Sequence, residues 1–433
     1  MRERIAAVSS LLRNRDFTIL WVSDLLMTFG DRIHRVALAN LIYTLTGSLL
    51  DAGIAFIAAG LPDLVLGPAG GVLIDRFDRR RLMVFSDIAR VIPVLLLPIV
   101  APRAFWAVYL LLFVINAFAV FYRPAKLAAI PSVVPPESLN QANSFSSMIE
   151  SVGDLLGYPV AGFGIGLLTK LTDANTGLLI AFGTTAFVYG LSAMLLSRLR
   201  LPAIAQHNIE QRTVGALIHS GWQELRDGLY FLRQHAVVRT NTIIMLLGPL
   251  SAGIATPLLI GYAWTVFSDG TRAYALLNFG IGVGCVLGAM VLSLRELRRL
   301  GSLVILGLLL MGGAFIGLAW THTLWTAIAM MAVSGIGNML VLIPSVTIVH
   351  RCVPGQMLGR IFTLRSALIF AVTLIANGIG GWVGDALGAR LILAATGITL
   401  LVSALLAGVV PASRAADQLM TTPQEVLAPA DSA

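Results

Sequence analysis

The stretch GSLVILGLLLMGGAFIGLAW at residues 301–320 carries no charged side chain. About 20 apolar residues in a helix cross the ~30 Å hydrocarbon core of a bilayer. Further apolar segments lie on both sides of this one. Together they make twelve, at approximately 17–45, 51–74, 82–101, 104–123, 140–168, 175–197, 238–263, 273–293, 301–320, 323–349, 357–384 and 388–410. The sequence therefore predicts an all-α membrane protein with twelve transmembrane helices.

The composition supports lipid as the main solvent of the chain. Hydrophobic residues make up 57% of the 433 residues and charged residues only 12%, whereas soluble domains carry about 25% charge. The two cysteines, Cys285 and Cys352, lie far apart and predict neither a disulfide framework nor a metal site. The net charge of +8 is attributed to loop arginines that orient the chain, so no nucleic-acid partner is expected.

Arginines are concentrated in alternate loops. The rich regions are the N-terminal segment and the loops after the second, eighth and tenth apolar segments, with Arg2, Arg4, Arg13 and Arg15, then Arg76, Arg79, Arg80 and Arg81, then Arg295, Arg298 and Arg299, then Arg351. All these regions fall on one side of the membrane. By the positive-inside rule, we expect both termini in the cytoplasm and the chain in the cell (inner) membrane.

Short internal matches divide the chain into two halves. They pair residues 11–17 with 231–237, 130–133 with 343–346, and 134–143 with 353–362. Matches in the same order and orientation predict two six-helix parallel pseudo-repeats with the transport path at their interface. We accordingly expect four regions: an N-terminal bundle at 1–197, a cytoplasmic linker with an amphipathic helix at 198–237, a C-terminal bundle at 238–410, and a disordered cytoplasmic tail at 411–433.

Residues 71–81, GVLIDRFDRRR, contain a recognisable motif. They resemble the loop between the second and third helices of the major facilitator superfamily, G-x-L-x-D-R-x-G-R-R, with Asp78 in place of glycine. The segments LLRNRDFTILW at 11–21, GDRIHRVAL at 30–38, YRPAKLAAIPSVVPPESLNQANS at 122–144 and VPGQMLGRIF at 353–362 are similar to the macrolide-efflux and enterobactin-exporter branch. The resemblance implies the major facilitator fold, export by alternating access, no enzymatic activity, and a gating role for Gly71, Asp75, Arg76, Arg79 and Arg80.

Two departures bear on the mechanism. Exporters of this superfamily often carry G-P-x-x-G-G in the fifth helix, whereas residues 157–162 here read GYPVAG. The second copy of the loop motif, near 288–299, keeps Gly288, Arg298 and Arg299 but has no aspartate. We therefore expect an asymmetric gate.

Two stripes of polar residues share helix faces inside the membrane. The first helix carries Asp24, Asp31 and Arg35, and the fifth carries Asn143, Glu150 and Asp154. Charged groups facing lipid are costly, so the stripes predict a polar cavity. We expect these residues to serve proton coupling or substrate contact. Repulsion between Glu150 and Asp154 favours a bound proton there, unless an arginine intervenes. Internal salt bridging, of Asp31 with Arg35 one turn away or of Asp154 with an arginine from another helix, is an equal alternative.

Two further basic residues lie near the predicted membrane helices. Arg365, about two turns into the eleventh helix, is a candidate to receive an anionic substrate or to pair with Glu150. Arg123, at the end of the fourth segment, is interpreted as an interfacial anchor.

These observations predict a secondary transporter. No nucleotide-binding P-loop is present, so we expect no cofactor and the proton gradient as energy source. The expected partners are a small amphiphilic substrate and membrane lipid, with the chain a monomer. The alternatives are a lipid or lysolipid transporter, an organic-anion uptake permease, and a membrane sensor that kept the fold.

Overall fold

The computed structural model describes residues 13–201, 214–294, 299–410 and 417, with backbone alone at 68–76, 140, 147, 174, 214–222 and 224. Helices account for most of the described N-terminal part. They are α1 Arg15–Thr46, α2 Leu49–Arg76, α3 Arg79–Val100, α4 Trp106–Ala119, α5 Tyr122–Val133, α6 Leu139–Val152, α7 Tyr158–Leu171 and α8 Ala174–Leu196. A 3₁₀ turn, Pro136–Ser138, precedes α6, and a π-helical turn, Gly153–Gly157, joins α6 to α7.

The described C-terminal part is also helical. Its helices are α9 Val214–Gln234, α10 Ala236–Val266, α11 Gly270–Ser293, α12 Leu300–Trp320, α13 Leu324–Cys352, α14 Gly355–Leu387 and α15 Ala389–Val409. The described ranges contain no strand, which confirms the all-α prediction.

Eleven helical segments in the described part of the chain are long and apolar enough to cross a membrane. Two of them are composite, because α4 and α5 form the span Trp106–Val133, and the π turn lies within the span Gln141–Leu171. Helix α1 has 32 residues but carries Asp24, Asp31, Arg32 and Arg35 in its interior. Counting α1 gives twelve, consistent with the number predicted.

Local sequence explains where the N-terminal helices begin. Asn14 caps α1 by accepting hydrogen bonds from the backbone amides of Asp16 and Phe17, and Gly47 ends that helix with a φ of 63°. Asp78 caps α3 by accepting from the amide of Arg81 at 2.9 Å. The departure of Asp78 from the loop motif thus replaces a glycine with a helix cap.

The chain divides into two compact units, Met1–Ile218 with Ala263–Phe279, and His219–Tyr262 with Gly280–Ala433. In the first unit, α1 and α3 both pack against α8. Residues 263–279 belong to this unit, where Trp264 lies against Tyr43 with ring centroids 5.3 Å apart. The guanidinium of Arg272 also lies 4.4 Å from the ring centroid of Phe163.

In the second unit, α12 packs against α13 and α15. The second half of α9 also belongs here, because Phe231 and Leu232 are buried in one apolar cluster with Val353 and Ile361. The corresponding cluster of the first unit contains Phe17, Val133, Val134 and Ala142. In each unit, residues from the two matched segments thus share one apolar cluster.

Candidate functional site

Charged side chains of α1, α3, α5 and α6, together with two hydroxyl groups of α8, form a network inside the first unit. One buried ion pair joins α1 to α5, where the Lys126 ammonium lies 2.9 Å from both carboxylate oxygens of Asp24. The side chains are 7% and 5% exposed, respectively. A buried charge is costly without an oppositely charged partner, and here each residue is the partner of the other.

A second buried pair lies on α3. Arg90 forms an ion pair with Asp87 three residues earlier, and the two side chains are 1% and 0% exposed. Arg90 Nε also donates to the backbone oxygen of Ser86 at 3.1 Å. The hydroxyl of Ser192 on α8 donates to the other oxygen of Asp87 at 2.6 Å. Asp87 thus links α3 to α8 and fixes the guanidinium of Arg90.

Asp31 on α1 connects this buried pair to accessible surface. Its carboxylate accepts a hydrogen bond of 2.5 Å from the hydroxyl of Tyr189 and lies 3.9 Å from Arg90 Nη1. The Asp31 side chain is 33% exposed, whereas that of Arg90 is 1% exposed. Asp31 is therefore an acid that both contacts the buried network and remains reachable by a proton or a cationic ligand.

The π turn sets the position of Asp154. A side chain on Gly153 would overlap the methyl group of Thr28, and one on Gly157 would come within 2.9 Å of Arg32 Cγ. The turn therefore lies directly against α1, and Arg32 Nε donates to Asp154 Oδ1 at 2.7 Å. Pro159 follows the turn and lacks an amide hydrogen, which favours the local loss of regular α-helical bonding.

Glu150 lies in a more open environment. Its carboxylate is 3.4 Å from Arg123, and the two side chains are 51% and 72% exposed. Glu150 and Asp154 therefore have separate arginine partners. This weakens the sequence-based argument that repulsion between the two acids makes them a shared proton site, because each charge is compensated independently. Asn143, on the same helix, is exposed.

The predicted arginines occupy different settings. Arg35 is exposed on α1, and Asp31 contacts Tyr189 and Arg90 in preference to the neighbour one turn away. Arg365 lies in the second unit, 2% exposed, where its guanidinium donates to the hydroxyl of Ser345 at 2.7 Å. Its contacts are those of a residue that ties α14 to α13.

The predicted gate is only partly described. At Gly71, Asp75 and Arg76 the structure describes the backbone alone. Arg79 Nη1 donates to the backbone oxygen of Ala128 at 2.7 Å and to Ser132 Oγ at 3.1 Å. Arg80 donates to the backbone oxygens of Ser197 and Leu199. These arginines hold the start of α3 to the ends of α5 and α8, a role beyond simple membrane anchoring.

Four charged members of the network are not predicted from the sequence, namely Arg32, Asp87, Arg90 and Lys126. Asp87 and Arg90 lie in the third apolar segment, and their i, i+3 spacing with opposite charge is an available signal. Lys126 falls outside the twelve predicted segments, because the fourth ends at residue 123. The structure continues this span as α5 to Val133, and its alanines at 125, 128 and 129 favour helix.

Comparison with known proteins identifies the scaffold. The sequence model of the family described as "Transmembrane secretion effector", a major facilitator family, matches residues 6–430. The chain belongs to this family. It is a multi-pass membrane transporter of the major facilitator superfamily, as its motifs predicted.

Relatives in the family include drug exporters. Macrolide efflux protein A of Streptococcus pyogenes is 23% identical over 381 residues, covering 86% of this chain and 90% of the relative. Multidrug efflux pump Tap of Mycolicibacterium fortuitum is 25% identical over 396 residues, covering 88% and 91%. Among solved structures, a variant of the nucleoside transporter NupG superposes with a TM-score of 0.70 at 13% identity, covering 90% of this chain and 99% of that one. This last likeness concerns the fold alone.

Proposed function

We propose that this transporter exports an amphiphilic organic molecule by alternating access, in exchange for protons. Two relatives support this class of substrate. They are named for macrolide and multidrug efflux, and each aligns with this chain over most of its own length. A bulky amphiphile is the shared chemistry of such substrates. A small cell-membrane protein of this kind would work as a monomer in contact with lipid, with both termini cytoplasmic, and would need no cofactor.

Asp31 is the acid that best fits the coupling role. Asp24 and Asp87 are almost fully buried against Lys126 and Arg90, so they exchange protons with solvent poorly. Asp31 is partly exposed, and its carboxylate lies 3.9 Å from Arg90 of the buried pair. In this proposal Asp31 carries either a proton or, when ionised, the charge that admits substrate, and the two occupants alternate.

Asp154 and Glu150 receive supporting roles. The Arg32–Asp154 contact holds the π turn against α1, and the Arg123–Glu150 contact is accessible enough to meet a substrate. Arg35 and Asn143 are exposed polar groups on the same helices and are proposed to line the substrate path.

A ligand screen tests the substrate class. Purified full-length protein is heated with macrolides, cationic dyes, lysolipids and small organic anions, and the shift in unfolding temperature is recorded. We expect stabilisation by macrolides or dyes, with a smaller shift for Asp31→Asn. Stabilisation by lysolipids alone would favour the lipid-transporter alternative, and stabilisation by anions alone would favour uptake.

A further inference from the structure

The guanidinium of Arg90 lies between two acids that differ in access to solvent. It is paired with Asp87 on its own helix and stands 3.9 Å from Asp31 on α1. The Asp87 side chain is 0% exposed, whereas that of Asp31 is 33% exposed. The Arg90 cation therefore interacts with a buried acid, Asp87, and with a partly exposed acid, Asp31.

Neighbouring side chains restrict the movement of the Arg90 guanidinium and of Asp87. The ring of Tyr189 lies 4.4 Å from its guanidinium carbon and the ring of Tyr122 lies 5.9 Å away. Asp87 is itself held by Ser192 at 2.6 Å. Ser192 and Tyr189 lie one turn apart on α8, so a single helix carries a hydrogen-bond donor for each acid.

We propose that Asp87 is a positioning residue for proton coupling. It holds Arg90 beside Asp31 and neutralises part of the charge of Arg90, and in this way it sets the pH at which Asp31 binds its proton. The inference rests on the proposed function in taking Asp31 as the coupling acid. Asp87 itself contacts neither proton nor substrate, and acts through Arg90.

The direction of each effect follows from charge. Removing the Asp87 charge leaves Arg90 to be neutralised by Asp31 alone, which favours ionised Asp31 and requires more acid to protonate it. Removing the Tyr189 hydroxyl deletes a donor to the ionised carboxylate and has the opposite effect. Among the described residues, the titratable or charged groups around Asp31 include Asp24, His34 and Arg35 on α1, Asp87 and Arg90 on α3, Tyr122 on α5, and Tyr189 on α8.

Infrared difference spectroscopy of the purified full chain tests this inference without a substrate. The carboxylic-acid C=O band that is absent from Asp31→Asn reports protonation at Asp31, and its intensity is titrated against pH. In Asp87→Asn, with Asp87→Asn/Asp31→Asn as its blank, we expect the midpoint to move to lower pH by about one unit, tenfold in proton affinity. In Tyr189→Phe, with its own Asp31→Asn blank, we expect it to move to higher pH by a similar amount.

Thr185→Val is the packing control, because Thr185 is buried on α8 and its hydroxyl bond within the described residues stays in its own helix, to the oxygen of Ala181 at 3.1 Å. Its midpoint should match the wild type. An unchanged midpoint in Asp87→Asn, or equal shifts in Asp87→Asn and Thr185→Val, would overturn the inference. Should Asp87→Asn fail to fold, Ser192→Ala replaces it, because Ser192 is the α8 donor that holds the Asp87 carboxylate. An unchanged midpoint in Ser192→Ala would then contradict the inference. These outcomes concern Asp31 in the resting protein, so they remain separate from failure of coupled transport.

Discussion

The Lys126 ammonium lies 2.9 Å from both carboxylate oxygens of Asp24, deep between α1 and α5. In the second unit the corresponding helices α10 and α13 meet through a neutral hydrogen bond, since Asn241 donates to the backbone oxygen of Ser345 at 3.0 Å. The buried Arg365 of α14 also contacts both helices, at Met245 and Ser345. The contact between α1 and α5 is therefore made by an ion pair, and that between α10 and α13 by hydrogen bonds. The buried ion pairs Asp24–Lys126 and Asp87–Arg90 both lie in the first unit, which is where we place the proposed proton chemistry.

Breaking the Asp24–Lys126 pair should destabilise the protein more than removing it entirely. Asp24→Asn or Lys126→Met alone leaves one uncompensated buried charge, at a cost of about 3–5 kcal/mol. The double variant Asp24→Leu/Lys126→Met should recover much of that loss. Thermal unfolding of the detergent-purified variants measures this, and single-variant losses that simply add in the double variant would contradict the account.

Close helix packing in the second unit should depend on Gly284. A Cβ at this position would overlap the carbonyl oxygen of Ala332, so α11 and α13 approach backbone to backbone here. Gly284→Ala should therefore lower stability by about 1–3 kcal/mol. A Cβ at Gly313 on α12 would meet no neighbouring helix or side chain within 4 Å, and Gly313→Ala should be neutral or stabilising. Equal unfolding temperatures for the two variants would refute this interpretation.

Arg79 should matter for transport more than its neighbour Arg81. Arg79 bonds to Ala128 and Ser132 on α5, whereas the Arg81 side chain is exposed. We expect Arg79→Ala to reduce the transport rate several-fold with little change in substrate affinity, because the contact biases conformation and touches no substrate. Arg81→Ala is the matched control and should transport normally. Similar losses of transport rate in Arg79→Ala and Arg81→Ala would indicate that both arginines act only as membrane anchors.

The arginine pattern predicts opposite sides of the membrane for the loops near Thr172 and Gln356, both exposed. Single cysteines at these positions, with Cys285 and Cys352 replaced by alanine, provide the test. An impermeant maleimide added to intact cells should label Thr172→Cys and spare Gln356→Cys until the cells are opened. The reverse pattern would invert the topology.

The sequence is sufficient for features governed by periodicity and length. The apolar segments predict the helices, and the motifs predict the major facilitator family. Local chemistry is readable too, since Asp78 precedes a helix and can only be a cap or a loop acid.

Ion pairs between residues far apart in the chain cannot be predicted from periodicity or segment length. Asp24 and Lys126 are 102 residues apart, and Arg32 and Asp154 are 122 apart. The stripe of acids on α6 is visible in the sequence, but the π turn that directs Asp154 towards Arg32 has no signature beyond the glycines and Pro159. The sequence consequently favours Glu150 and Asp154 as a proton pair, and the geometry moves that proposal to Asp31.

Substrate accumulation driven by a pH gradient is the most direct test of proton-coupled export. Proteoliposomes with an acidic interior receive a radiolabelled macrolide outside, and because antiport is reversible, either protein orientation should load the lumen. Protein-free liposomes correct for passive trapping of a weak base. We predict accumulation by wild type and by Glu150→Gln that collapses with a proton–potassium exchanger, and none above the protein-free level for Asp31→Asn. Accumulation by Asp31→Asn equal to wild type, or wild-type transport indifferent to the gradient, would contradict the account.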